Sequence, residues 1–352
     1  MPGDARFVPW LAMAWLVWLC PPARGFMSHE FSSTRYFTDK GILPPLNFLG
    51  GPLNQTYQDD TMPYTDTSSR LCYEGSSVPV TYTNDPTSVY RWLSDHLPYQ
   101  GCIIGFDIEC RPKIGRKKGE KSPFFNAATV QLATSDSCLV IHLARRSGKH
   151  SQACAPILKA VLCDEQFVKA GCALDEDLMS LYELWNGLDA KSRFDLGFLG
   201  GRSNRHGLKS LSKALLGIDL PKPRDVALSD WSMIPLNEHQ IIYSARDAWA
   251  GAAIAEQLAL QDPSTFGHRA LVRTLGKSEP SISDLVTKQR RRDSAKKELR
   301  TLLAPYLGND GGEDEQLPEH IQSQVHDLRS LIKVPVNEPR LIFDVDFLWK
   351  ER

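Results

Sequence analysis

At 352 residues, with 42% hydrophobic and 24% charged side chains, the chain has ordinary globular composition and room for one large domain with appendages or two modest ones. Its 41 Lys and Arg against 42 Asp and Glu leave a net charge near zero, so affinity for a polyanion must come from local patches. The eight cysteines contain no C-x-x-C pair and no paired zinc-ligand spacing; Cys102, Cys138 and Cys172 lie in or beside apolar strand-like runs, where a thiol acts as a small hydrophobe. They read as reduced and structural, which points to a reducing compartment.

Arg6 precedes an apolar run from Phe7 to Cys20, followed by Pro21, Pro22 and Arg24. The run is too short to span a bilayer comfortably and suits a signal-peptide core, so residues 1–26 read as a targeting segment with no stable membrane span in the mature protein. Met27 to about Lys40 is rich in Ser, Thr, Phe and Arg. That order resembles the bipartite leaders of algal plastid proteins and implies an organelle, plastid or mitochondrion; a plain signal peptide, or a nuclear or cytoplasmic protein started at Met27, are the alternatives. From Gly41 to Ser77 the chain is Pro-, Gly-, Asn- and Thr-rich without a sustained period, and residues 27–77 read as a linker or transit-like region. Asn54-Gln55-Thr56 matches a glycosylation sequon, relevant only to a secreted chain.

The folded part is expected to begin with a strand at Val78–Tyr82, followed by a helix started by Asn84-Asp85-Pro86 with Val89, Trp92 and Leu93 at helical spacing. A second strand, Cys102 to Glu109, ends in Phe106-Asp107-Ile108-Glu109, where period-2 alternation puts Asp107 and Glu109 on one face. Alone, such a pair usually marks a solvated strand edge. The following loop carries Arg111, Lys113, Arg116, Lys117, Lys118 and Lys121 against a single Glu. Alternating Val130/Leu132 and then Leu139–Leu143 predict two strands joined by a hairpin at Ser135-Asp136-Ser137. Next come a helix at Pro156–Leu162, a strand at Phe167–Ala170, a helix at Asp175–Trp185, a Gly-rich loop and a helix at Leu208–Leu216. Leu220 to Pro235 reads as irregular. Asn237 and Gln240 form a capping box for a helix whose stripe is Ile241, Ala245, Ala248, Ala252 and Ala255. Strands early and helices after them predict an α/β layer architecture.

Asp107, Glu109, Asp177, Tyr243 and Asp247 then stand out together. Each has a plainer reading: Asp177 as a helix-start acid beside Asp175 and Glu176, Tyr243 as a core aromatic with a wet tip, Asp247 as a surface partner of Arg246. As a set, several carboxylates cannot stay ionised side by side without cations, and oxygen-only donors suit Mg2+ or Mn2+ rather than zinc. Two such ions about 4 Å apart activate a water and stabilise the leaving oxygen in phosphoryl transfer.

On these residues the chain resembles the DEDD superfamily of 3′-to-5′ exonucleases, in the branch with Tyr in its third motif, near the Werner syndrome exonuclease domain and ribonuclease D. The first motif is Phe106-Asp107-Ile108-Glu109, the second runs from Lys169 through Gly171 to Asp177 and Leu178, and the third from Tyr243 through Asp247 to Gly251. Leu208 to Gly217, Asp230-Trp231-Ser232 and Pro235-Leu236 also match the Werner-like group. The resemblance covers about Val78 to Leu260, and residues 78–262 are taken as the exonuclease domain. It implies a ribonuclease H-like fold with a mixed five-stranded sheet flanked by helices, two divalent cations (Mg2+ or Mn2+), no small-molecule cofactor, and hydrolysis of DNA or RNA from a free 3′ end to nucleoside 5′-monophosphates. By the match Asp107, Glu109 and Asp247 would hold one ion, Asp107 would bridge to the second, Asp177 would reach that through water, and Tyr243 would position the attacking water. Arg111, Lys117, Lys118 and Trp231 are candidate substrate contacts, and the basic loop should make binding salt-dependent. Two positions depart from the pattern: Cys110 stands where an aromatic is common, and Trp249 where Tyr is usual. Neither removes a ligand.

Residues 263–352 lie outside the resemblance and read as a helical extension: a basic helix from Ser283 to Leu307, an acidic linker from Gly308 to Gln316 and an amphipathic helix from Pro318 to Ile332. They carry no helicase or polymerase motif. The rival reading is a nucleic-acid-binding or adaptor protein that keeps the fold without catalysis; loss of a ligand would favour it, and none is lost.

Overall fold

The computed structural model describes residues 63–73, 76–111, 127–143, 149–185, 187–199, 206–276, 279–306 and 317–336, and within them the sheet begins earlier than the expected strand at Val78. Strands β1 (Thr65–Asp66) and β2 (Arg70–Tyr73) both pair antiparallel with β3 (Ser76–Thr83). The linker reading is therefore corrected from Thr65 onward: short strands with no period of their own take their structure from an edge they can pair with. The leader, most of the expected linker, the basic loop with Lys117 and Lys118, and the acidic linker after residue 306 lie outside the described residues.

The chain continues through α1 (Pro86–His96), β4 (Ile103–Cys110), β5 (Ala127–Ala133), β6 (Cys138–His142), α2 (Lys149–Leu162), β7 (Val168–Gly171), α3 (Leu174–Leu184) and β8 (Arg193–Asp195). Then come α4 (Leu208–Leu216), α5 (Arg224–Ala227), α6 (Glu238–Gln261), α7 (Pro263–Phe266), α8 (His268–Leu275), α9 (Ile282–Leu303) and α10 (Glu319–Lys333). Strand order is β1-β3-β6-β5-β4-β7-β8. β5 is antiparallel to both neighbours, whereas β7 runs parallel to β4 and β8 parallel to β7. The five strands β6-β5-β4-β7-β8 are the mixed ribonuclease H-like core. β3 extends it, parallel to β6, and carries β1 and β2.

Local signals explain the elements that aim the site. Asp85 caps α1 by accepting from the Thr87 and Ser88 N–H groups, with Pro86 opening the helix. Ser135–Ser137 turn β5 into β6, closed by the Thr134 N–H donating to the Ser137 carbonyl at 2.9 Å. The Asn237/Gln240 capping box starts α6. Alternation along β4 then feeds two cores on opposite faces of the sheet. Ile104, Phe106 and Ile108 pack with Trp92 and Leu93 of α1, Leu158 of α2 and Leu178 of α3. Ile103 joins Val140, Ala170 and the Ile241, Ala245, Ala248 and Ala255 stripe of α6.

The tail is not a separate body at its start. Phe266, Leu271 and Leu275 complete the α6-side core, and Ile282, Leu285 and Val286 the opposite one. Polar ties reinforce the join: the Arg193 N–H donates to Glu279 Oε1 at 2.6 Å, Arg193 Nη2 to the Pro280 carbonyl at 2.7 Å, and the Ile282 N–H to Asp189 Oδ1 at 3.2 Å. A boundary at residue 262 thus cuts through shared cores. Among the described residues α9 and α10 share a small core of their own, Leu317, Ile321 and Val325 against Leu299, Leu302 and Leu303. Among the described residues the seven cysteines form no disulfide, and no helix is long and apolar enough to cross a membrane.

Candidate active site

The site is made by a close approach of helix to strand. A Cβ at Gly105 would lie 1.8 Å from the Ala248 carbonyl oxygen, and one at Gly251 2.6 Å from that of Ala170. Glycine at both positions lets α6 rest directly on the backbones of β4 and β7. Asp247 immediately precedes Ala248, and Asp107 follows Gly105 by one period of the strand, so this contact brings the two carboxyls to one place. Glu109, on the same face, lies beside a register shift between Glu109 and Cys110 that ends the regular ladder.

Asp177 arrives from the opposite side on α3. Asp175 and Asp177 differ in what they meet. Asp175 is buried in an ion pair with Arg193, Nε to Oδ1 2.9 Å. The Asp177 carboxyl is held well above the usual range by burial and then by the charges of Asp107, Glu176 and Glu109. The turn leading into α3 is strained: Ala173 has φ 63°, and Asp195 holds it by accepting from the Ala173 N–H at 3.2 Å and the Gly197 N–H at 2.9 Å.

The electrostatics describe one coupled cluster. Burial, followed by the Asp247 charge, lifts Asp107 well above the ordinary carboxylate range, with Lys222 opposing. Burial and then Asp107 and Asp247 push Glu109 up to about 9. Asp247, 6% exposed, is raised by burial against the pull of Lys222. Cys110 is pushed up to about 12 by burial and then by Asp177, Glu109 and Asp107, so its thiol stays protonated among the acids. Burial and then the charges of Asp247, Glu109 and Asp107 raise Tyr243, keeping its phenol a proton donor at neutral pH.

Tyr243 is held by its surroundings. Trp231 packs on it with ring centroids 6.0 Å apart, and the Arg246 guanidinium lies 5.4 Å from its ring centre. Trp231, expected as a substrate contact, is 1% exposed here, and its Nε1 donates to the Ala227 carbonyl at 3.3 Å. Arg111 is half-buried at the end of β4, where its charge acts on His142 and Asp230.

Sequence reasoning missed two features. Register places Gln131 opposite Asp107, Thr129 opposite Glu109 and His142 opposite Thr129, a buried polar row beside the acids. Gln131 Nε2 donates to Thr129 Oγ1 at 2.5 Å; His142 Nδ1 lies 2.8 Å from the Tyr82 hydroxyl, and burial pushes its imidazole down to about 4, hence neutral. The second is Lys222, whose Nζ lies 3.2 Å from Asp247 Oδ2. The polar row alternates visibly in β5 and β6, whereas Lys222 is one cation of an irregular stretch and carries no sequence signal.

The donor set fits hard divalent cations. It is made of oxygens alone, its acids destabilise one another's charged forms, and Asp247 Oδ1 is buried with no hydrogen-bond partner among the described residues. Among those residues no three His, Cys, Asp or Glu side chains are closed into a ligating group; the cationic contact at Asp247 is Lys222.

Residues 89–261 match the 3′-5′ exonuclease family. The chain is 28% identical over 249 residues to the mouse bifunctional 3′-5′ exonuclease/ATP-dependent helicase WRN, covering 69% of this chain and 16% of that protein. It is 32% identical over 153 residues to a 3′-5′ exonuclease of Arabidopsis thaliana, covering 42% and 49%. Among solved structures it is similar to the Aedes aegypti Nibbler EXO domain, with 20% identity, 54% and 93% coverage and a TM-score of 0.41. The chain thus spans less than half the length of these curated relatives. Fold, motifs and match define a nuclease domain. Over residues 89–261, a little under half of the chain, the match is to the 3′-5′ exonuclease family, a nuclease family whose members use divalent metals.

Proposed function

We propose that the protein is a two-metal 3′-to-5′ exonuclease that releases nucleoside 5′-monophosphates from the 3′ end of DNA or RNA, with Mg2+ or Mn2+. The observation that carries this reading is that acids from three separate elements, β4, α3 and α6, act on one another's charge around Asp107. Asp107, Glu109 and Asp247 would hold one ion; Asp107 would face the second, with Asp177 behind it. When bound, the ions would supply Lewis acidity for the attacking water and the leaving oxygen. The Tyr243 phenol, protonated and fixed by Trp231 and Arg246, orients the attacking water by hydrogen bonding. Arg111 and the loop after it, with Lys117 and Lys118, would contact backbone phosphates. The leader supports an organellar address, which a fluorescent fusion of the first forty or so residues would test.

The test is 3′-labelled single-stranded DNA and RNA incubated with the protein in Mg2+ or Mn2+. Mononucleotide release is expected from at least one polymer, with Asp107→Asn and Asp247→Asn each reducing it by at least about 100-fold while circular dichroism stays unchanged. Folded wild-type protein that releases nothing from either polymer supports the adaptor reading instead.

A further inference from the structure

Lys222 lies between α4 and α5, flanked by Pro221 and Pro223. Its backbone is pinned: Leu220 is fully buried, and Arg246 Nη2 of α6 donates to the Pro221 carbonyl at 2.5 Å. The flanking prolines fix their own φ angles. The Lys222 side chain, by contrast, is 40% exposed and reaches inward to Asp247 Oδ2, whose side chain is 7% exposed. Its charge also acts on Asp107. Neighbouring residues of α6 thus grip one loop twice, Arg246 by its backbone and Asp247 by a side-chain tip on a flexible four-carbon stem.

An ammonium and a divalent cation repel at the few-ångström separation one carboxylate imposes. The backbone anchors need not move for the ammonium to leave, because the exposed part of the side chain already faces solvent. We propose that Lys222 is a displaceable counter-ion: it pairs with Asp247 while the site is free of metal, and an entering divalent ion drives it off, so that Lys222 sets how tightly the metal is held. The proposal rests on the metal-site reading above.

Two measurements on the full chain separate it from a merely structural role. Calorimetric titration with Mn2+ should show roughly fivefold tighter binding by Lys222→Met than by wild type, the size of one partly exposed ion pair. In EDTA the same variant should melt several degrees below wild type, since its acids lose their counter-ion. A packing residue would not move affinity and melting temperature in opposite directions. Lys222→Arg, which keeps the charge, should bind Mn2+ as wild type does. Unchanged or weaker Mn2+ binding by Lys222→Met, with wild type binding normally, overturns this proposal alone. Absence of Mn2+ binding by wild type overturns the metal reading as well.

Discussion

Glu109 shows the electrostatic strain of gathering several carboxyls in a buried place. Its carboxyl is moved from an ordinary 4.5 to about 9, by burial first and then by Asp107 and Asp247. Between those values the folded protein keeps a proton that the unfolded chain has released. The stability this group contributes is therefore fully present below its unfolded pKa and is lost as pH rises through about 9. We expect the melting temperature in EDTA to fall over that window, with Glu109→Gln flattening the fall and Mn2+ raising it most at the alkaline end. Parallel curves for wild type and Glu109→Gln in EDTA would show that Glu109 does not carry the strain. The residue scale also shows the limits of motif matching: Trp231 belongs to the matched segment, yet it is buried against Tyr243, while Lys222 lies outside any recognised motif and touches Asp247.

At the scale of elements the decisive contact is α6 on β4. The small residues of the α6 stripe allow the helix near the sheet, and Gly105 removes the last obstacle. A methyl there would overlap the Ala248 carbonyl oxygen, 1.8 Å away, and the Ala252 nitrogen, 2.9 Å away, both backbone atoms that cannot rotate aside. Gly105→Ala must push α6 outward, at a cost of about 1–3 kcal/mol or more, and carry Asp247 away from Asp107. The expected result is a lower denaturant midpoint together with nuclease activity reduced by more than the stability loss explains. Full activity in a folded Gly105→Ala protein would mean the approach is looser than described. The alternation of β4, the caps of α1 and α6 and the hairpin at Ser135–Ser137 were legible in the sequence because each rests on a short-range rule. β1 and β2 were not, because their structure comes from pairing with β3.

For the whole molecule, the segment beyond α6 completes both cores. Ending the chain at Asp262 would strip away Phe266, Leu271, Leu275, Ile282, Leu285 and Val286. Each buried side chain of this kind is worth about 1.5–3 kcal/mol, and a domain's total stability is only about 5–15 kcal/mol. Arg193 would also lose its partners Glu279 and Pro280 while remaining beside Asp175. A fragment of residues 63–262 is expected to be insoluble or to melt without cooperativity, whereas one ending at residue 306 should melt cooperatively. Comparable melting temperatures for the two would show that the tail is dispensable.

The sequence by itself determined which side chains are candidates for the chemistry: Asp107, Glu109, Tyr243 and Asp247 follow from period-2 and i, i+4 spacing joined to a motif resemblance, since local geometry fixes which side chains share a face. Only the tertiary structure separates the successive acids of α3, because Arg193 pairs with the buried Asp175 while Asp177 faces the charges of Asp107 and Glu109. It alone placed Lys222 on Asp247 and tied the tail to both cores. These are contacts between residues distant in the chain, and no local period or cap encodes a partner that only folding brings near.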